Sequence, residues 1–319
     1  MNLRKAVTHR IWQAVGFNKE RSIRFPWASR EGPVYYIVRR TLGWGGTGFF
    51  SNYFYALTHI AYGREKGWIP VVDMQNYATP YSENHPVNGT RNAWEYYFGQ
   101  PVDTRTAYRS GRFVLSDGLN RKIEWHPFRE TDDTVELQTD TSRRLKDLVR
   151  DYAMIRPDIL SGFEDWERGH FEGKRILGVH WRGTDKRDPP PGHRPTPDLS
   201  ALTTAVRDMC ERHRPDAIFL ASDENGIREA VETAVPVPVL TAEAHRLQAG
   251  DARGLHTSSE HGVRPNHRYL LGLEVLRDAW LLSRCDWLIH GHSNVTNAAL
   301  FFRDRPYHAA TLLESGPPA

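Results

Sequence analysis

The second half of the chain alternates short apolar runs with helical spacing, and this alternation restricts the fold more than any other feature. Residues 176–181, 217–221, 235–240 and 287–290 are β-type runs, while residues 199–212, a shorter stretch from Gly226, residues 269–283 and residues 295–302 carry helical patterns. Strands that alternate with helices predict a parallel, doubly wound α/β sheet. In such a sheet ligands bind beyond the carboxyl ends of the strands, so the loops that follow the strands are the ones to read for chemistry. Three of them are dense in hydrogen-bonding side chains: His180-Trp181-Arg182-Gly183-Thr184-Asp185-Lys186, Ser222-Asp223-Glu224-Asn225 and His290-Gly291-His292-Ser293-Asn294.

The first half holds one similar unit. A β-type run at 34–38 leads into the loop Gly43-Trp44-Gly45-Gly46-Thr47-Gly48, and Phe49, Phe50, Tyr53, Phe54, Leu57, Ile60 and Ala61 then recur at helical spacing as far as Gly63 or Gly67. Residues 69–72 read as the next strand. Residues 74–130, rich in Asn, Tyr, Pro and Arg, read as long surface excursions, in which Trp94, Tyr96, Tyr97 and Trp125 suit either core packing or stacking on a sugar ring. Residues 143–156 read as a charged helix, and turn residues with mixed charge at 162–173 place a domain boundary there. A chain of 319 residues has room for two such domains. The expected division is a basic arm over 1–30, an acceptor-side Rossmann-like domain over 31–165 and a nucleotide-sugar-binding Rossmann-like domain over 166–319. No internal repeat is found.

Charge excludes some classes. With 42 basic against 39 acidic residues the net charge is +3, which gives nucleic-acid binding no global support. The basic side chains Arg4, Lys5, Arg10, Lys19, Arg21, Arg24 and Arg30 face only Glu20 in the arm, a pattern that fits a solvated extension or a weak contact with an anionic membrane surface. No segment reaches the roughly 18 apolar residues of a membrane span, and no secretory signal is evident, so a cytoplasmic location is expected. Cys210 and Cys285 are read as buried, unpaired thiols.

Arg182 and Lys186 suit a diphosphate, the first as a planar fork of donors and the second as a point charge; they equally suit ion pairs with Asp185 and Asp188. Asp223 and Glu224 can accept from ribose hydroxyls or a base edge, and Ser222 and Ser293 can donate to phosphate oxygens. The same residue types also form turns and helix caps after strands. Gly43, Gly45 and Gly48 spell G-x-G-x-x-G between a strand and a helix, with Asp73 ending the next strand, which is the setting of a dinucleotide fingerprint. Asp73 follows Gly48 by 25 residues, more than the about 20 of that fingerprint, and Trp44 is bulky for a pyrophosphate approach. No D-x-D occurs, so the carboxylate pair that holds a divalent cation under many nucleotide sugars is missing. His290 and His292 have no evident third metal ligand and read as strand-end histidines. H-E-x-x-H, G-x-S-x-G and Walker A patterns are also missing, which ranks hydrolases low.

The order of these pieces resembles the α1,6-fucosyltransferases, the bacterial nodulation enzymes among them, and their wider superfamily. Gly178-Val179-His180-Trp181-Arg182-Gly183-Thr184-Asp185-Lys186 is similar to that family's G-V-H-x-R-R-T-D-K segment, and Phe219-Leu220-Ala221-Ser222-Asp223-Glu224 to its F/Y-L-A-[ST]-D-[DE] motif. Asp278-Ala279-Trp280-Leu281-Leu282-Ser283, followed by Cys285 to Ile289 and by Ser293-Asn294, is similar to its D-x-x-L-L-S segment. The glycine loop with Phe49 and Ala61-Tyr62-Gly63 matches its N-terminal pattern.

The resemblance implies a GT-B architecture, two Rossmann-like lobes facing a cleft, in a bacterial hexosyltransferase. It further implies metal-independent, inverting transfer of fucose from GDP-fucose to a glycan or small glycoside, with the donor as substrate and no resident cofactor. Carried over residue by residue, Arg182 holds the β-phosphate with Lys186 nearby, His180, Ser222 and Asp223 face nucleoside or sugar, and Asp278 supports the nucleotide. Ser293 and Asn294 bind diphosphate, and Gly45 and Gly46 bring backbone close to the donor. Two departures stand out: the family's second arginine is Gly183, and a carboxylate of the eukaryotic members falls on Pro190, which leaves Asp185 or Asp188 as the base. The alternatives are a GT-B transferase using another nucleotide sugar, an NAD-dependent oxidoreductase built on Gly43, Gly45, Gly48 and Asp73, and a non-catalytic sugar-binding protein with a decayed donor site.

Overall fold

The computed structural model describes residues 20–39, 48–76, 79–116, 147–183, 197–246 and 264–313. Gly43, Gly45, Gly46, Trp125, Asp185, Lys186, Asp188 and Pro190, together with residues 1–19 of the arm, lie outside the described residues. The described chain forms two compact units that divide between Arg156 and Pro157.

The first unit carries a four-stranded sheet of β1 (Arg21–Arg24), β2 (Tyr35–Val38), β3 (Ile69–Val72) and β4 (Arg112–Leu115) in the order β1-β4-β2-β3. The two pairings among β4, β2 and β3 are parallel, and β1 joins β4 antiparallel. Part of the expected arm is thus an edge strand of this sheet. Helix α1 (Phe49–Glu65) links β2 to β3, and the short α2 (Thr104–Arg109) links β3 to β4. Gly63 lets α1 lie against β2, because a Cβ there would come within 2.8 Å of Cδ1 of Tyr36.

Residues 79–98 are not a surface excursion. Trp94, Tyr96, Tyr97 and Phe98 are buried, and Trp94, Tyr97 and Phe98 pack on Phe49 and Tyr53 of α1. Tyr53 stacks on Trp94 at 5.9 Å, and Phe49 meets Tyr97 edge-on at 5.0 Å. Burial gives these aromatics a core-packing role, since each hides a large apolar area. Asp103 caps α2 by accepting from the backbone N–H of Thr106 at 2.8 Å. The polar composition of the region hides this capped helix and the buried strand after it.

In the second unit, α3 (Pro157–Phe171) runs through the residues expected to form a boundary. Ile159, Phe163 and Phe171 bury one stripe of it, while Gly162 and Gly169 fall on the exposed side, where glycine weakens the helix without breaking its contacts. The sheet comprises β5 (Ile176–Trp181), β6 (Ala217–Ser222), β7 (Val239–Leu240), β8 (Trp287–His290) and β9 (Ala309–Leu312). Its order is β7-β6-β5-β8-β9 and every pairing is parallel. The connecting helices are α4 (Leu199–His213), α5 (Ile227–Ala234), α6 (His267–Arg284) and α7 (Asn294–Phe302).

Alternate strand residues face opposite layers, as the two-residue period demands. Leu177, Val179 and Trp181 join Ile218, Leu220 and Ile289 in a core with Leu202, Val206 and Met209 of α4 and Val231 of α5. On the opposite face Phe219 meets Trp166 and Phe171 of α3, both at 5.6 Å. Gly178 also lies there, where a Cβ would stand 3.1 Å from both Cβ and Sγ of Cys285 and 3.2 Å from Cδ2 of Leu282. Gly178→Val is accordingly expected to destabilise the chain by about 1–3 kcal/mol, an overpacking cost read from the denaturant midpoint. An unchanged midpoint would mean that the turn between α6 and β8 can move away. Cys285 is buried as expected, whereas Cys210 is half-buried.

Candidate functional site

The second sheet is numbered 3-2-1-4-5 by its own strands, so the chain winds outward in one direction from β5 and in the other from β8. Sheets of this topology take ligands where the winding reverses, beyond the carboxyl ends of these two strands. Arg182 follows β5 at that point, and Gly291 to Asn294 follow β8. Asp223 and Glu224 follow β6, the other neighbour of β5. The topology therefore brings Arg182, Ser222, Asp223, Ser293 and Asn294 to one edge of one sheet.

Local bonding gives each a structural task as well. Ser222 Oγ accepts from the Glu224 backbone N–H at 3.1 Å and donates to the Glu224 carbonyl at 3.3 Å, which tightens the turn after β6. Asp223 Oδ1 accepts from the Gly183 N–H at 3.1 Å and ties that turn to the end of β5. Ser293 caps α7, accepting from Val295 N–H at 3.2 Å. Asn294 is exposed on the first turn of α7, where its Oδ1 accepts from Asn297 Nδ2 at 3.3 Å. The amino end of α7 consequently points backbone N–H groups toward this edge, a setting that favours an anion.

His180 and His290 are register partners on β5 and β8, and both are buried. His180 Nδ1 lies 3.3 Å from Thr296 Oγ1, a contact between β5 and α7 that sequence spacing does not reveal. His290 Nδ1–H donates to the Gly291 carbonyl at 3.3 Å, and its Nε2 is buried without a hydrogen-bond partner among the described residues. Burial pushes the His290 pKa down to about 4, so the ring is neutral.

Asp278 is not part of this edge. It lies well past the middle of α6, which runs back across the sheet toward the amino ends of the strands. Burial pushes its carboxyl up to about 7, against the pull of Arg277 and Arg246 and with a further push from Glu274. Nearer the amino end of α6, Arg264 forks onto Glu274 at 2.5 and 2.9 Å, and Glu274 accepts from the His245 N–H at 3.1 Å. Arg277 donates to the Glu243 carbonyl. These contacts fasten the loop after β7 to α6, a job that the His-rich polar sequence does not announce.

Asp278 and His290 give stability opposite pH slopes. The folded chain keeps the Asp278 proton between about pH 4 and 7, where the unfolded chain has lost it, so this group's contribution falls as pH rises through that window. His290 resists a proton that the unfolded chain accepts below its usual 6.5, so its contribution falls as pH drops toward about 4. Asp278→Asn is expected to leave stability near about pH 4 unchanged and to raise it by about 1–3 kcal/mol at about pH 8. A wild-type and variant difference that is flat from acid to alkaline pH would show that this carboxyl does not hold its proton.

In the first unit Asp73 is fully buried at the end of β3. Its Oδ1 accepts from the N–H groups of Gln75 and Asn76, each at 3.1 Å, and its Oδ2 accepts from Asn76 Nδ2 at 2.6 Å and from the Tyr108 hydroxyl at 2.7 Å. A carboxylate saturated in this way has no acceptor left for a ribose. The dinucleotide reading of Asp73 is thereby corrected to a turn-holding role. Ser116 also closes the ends of β2 and β4, accepting from Arg39 N–H and donating to the Arg39 carbonyl, both at 2.9 Å.

Among the described residues no group of three or more His, Cys, Asp or Glu side chains could hold a metal ion, and no helix is long and apolar enough to cross a membrane. No protein-family model and no curated protein matches the chain. Solved structures similar to it include NodZ alpha-1,6-fucosyltransferase soaked with GDP-fucose, at 17% identity and a TM-score of 0.47 over 85% of this chain and 93% of that one. Fucosyltransferase NodZ from Bradyrhizobium gives 17% and 0.46 over 84% and 92%. POFUT1 in complex with GDP-fucose gives 9% and 0.47 over 90% and 99%.

Proposed function

We propose that the chain is an inverting, metal-independent glycosyltransferase of the GT-B class whose second unit takes GDP-fucose as donor and whose first unit serves the acceptor, a glycan or small glycoside. The observation that supports this most is the meeting of two motif-bearing strand ends and the capped amino end of α7 at the reversal point of an all-parallel sheet, with Arg182 directly after the central strand. Displacement at an anomeric carbon through a loose transition state builds negative charge on the departing diphosphate. Fixed donors aimed at that charge lower the barrier most. In this reading Arg182 and Lys186 balance the leaving group, and the α7 amino end with Ser293 and Asn294 holds phosphate oxygens. His180, Ser222 and Asp223 shape the nucleoside side, whereas the place of Asp278 on α6 takes it out of the expected nucleotide contacts. Asp185 or Asp188 takes the acceptor proton.

Gly183 favours a second reading, a transferase of the same kind with a different nucleotide sugar, because one cation of the resembling motif is absent. Calorimetric titration with GDP, GDP-fucose and NAD in EDTA separates the readings. Micromolar GDP binding with a preference for GDP-fucose is expected. GDP binding without that preference moves the assignment to another GDP-sugar, and NAD binding alone overturns it.

A further inference from the structure

At the end of β5 a glycine and a carboxylate compete for one volume. A Cβ on Gly183 would stand 1.8 Å from Oε2 of Glu224, 3.0 Å from its Cδ and 2.9 Å from Nε1 of Trp181. With the Glu224 carboxylate in this place, a side chain at 183 would force it to move. Glu224 is 2% exposed and arrives from the turn that Ser222 tightens after β6. Its Oε2 lies 3.5 Å from the Trp181 indole nitrogen, which donates toward it, while the neighbouring Asp223 accepts from the Gly183 N–H at 3.1 Å. Two successive acidic residues of one strand end thus hold the residue before Arg182 and the residue after it.

A carboxylate is costly to bury, and a glycine at a strand end is costly to order, so the two features together call for a common reason. We propose that Glu224 is a positioning residue for Arg182: its carboxylate occupies the side-chain space above Gly183 and fixes the direction in which the guanidinium leaves β5. In the family that this strand resembles, the place of Gly183 holds arginine. Here the same volume is filled from the neighbouring strand by a group of opposite charge. The inference rests on the reading of Arg182 as the phosphate-binding residue.

A double-mutant cycle of Gly183→Ala and Glu224→Ala tests it, with GDP affinity and the thermal midpoint read on every variant well below its midpoint. Each single change is expected to weaken GDP binding about tenfold, and the double variant to bind no worse than Glu224→Ala, which is strong coupling between neighbours. Glu224→Gln keeps the shape and an acceptor oxygen and is expected within about threefold of wild type. Val231→Ala, in the core of the same unit, lowers the midpoint and leaves GDP affinity unchanged, which separates positioning from general loosening. If Gly183→Ala yields no folded protein, the comparison of Glu224→Ala with Glu224→Gln decides. Additive losses, or a Glu224→Ala variant that is less stable yet binds GDP as wild type does, would overturn the role of Glu224 alone. Failure of the wild-type chain to bind GDP would instead overturn the nucleotide reading beneath it.

Discussion

Arg182→Ala is expected to abolish measurable GDP binding and to lower turnover of a GDP-sugar by about 10²–10³-fold, the loss that follows removal of one preorganised donor from developing charge. The argument is positional. Arg182 follows the central strand at the point where winding reverses, and its two neighbours are held by Asp223 and Glu224, so its guanidinium starts from a fixed backbone. Arg182→Lys keeps the charge and loses the planar fork, and should fall between the alanine variant and wild type. The check is calorimetry with GDP beside steady-state rates, on protein whose circular dichroism matches wild type. GDP binding that survives the alanine change would place the phosphate elsewhere on the sheet edge.

The largest stability effect is expected from Asp73→Ala, about 3–5 kcal/mol, because a buried carboxylate leaves and strands the donors it satisfied. The two backbone N–H groups of the turn after β3, the Asn76 amide and the Tyr108 hydroxyl all lose their acceptor at once. Burial and the Asp73 carboxylate together push the Tyr108 phenol well above its ordinary range, and removal of Asp73 takes away the second of these. Asp73→Asn retains one acceptor oxygen and should lose roughly half as much. Urea unfolding measures both. A small loss in the alanine variant would show that the turn re-forms its bonds without the carboxylate, and would reopen the possibility that Asp73 serves a ligand.

Both cases show where sequence reading succeeds and where it stops. Strands β3, β5 and β8 have the residue limits that their continuous apolar runs predict, because strands buried on both faces need no polar positions. The polar residues that follow β5, β6 and β8 mark the sheet edge for the same reason. By contrast β1 reads Arg-Ser-Ile-Arg and β9 is half-exposed, so neither edge strand differs from a loop in composition. Helix α3 hides behind two glycines that cost it little on its exposed side. Of the run read as a strand over 235–240, only Val239–Leu240 pairs. The parts of the site that could not be read are those made across sequence distance: Thr296 against His180, Glu224 over Gly183, and the saturation of Asp73 by Tyr108. A residue type at a strand end names a chemistry, but only the neighbours reveal whether its lone pairs are already spent.

The strand order also sets a sequence of events in time. The link between β5 and β6 joins residues 41 positions apart, as in Arg175 with Asp216, whereas the link between β5 and β8 joins residues 110 apart, as in Ile176 with Asp286. Closing the longer loop costs more chain entropy and is the slower step in refolding. The sheet edge that carries Arg182 and the α7 amino end exists only after that closure, so recovery of ligand binding should trail the return of secondary structure after dilution from denaturant. The binding edge, on this view, is a late product of the second unit's folding.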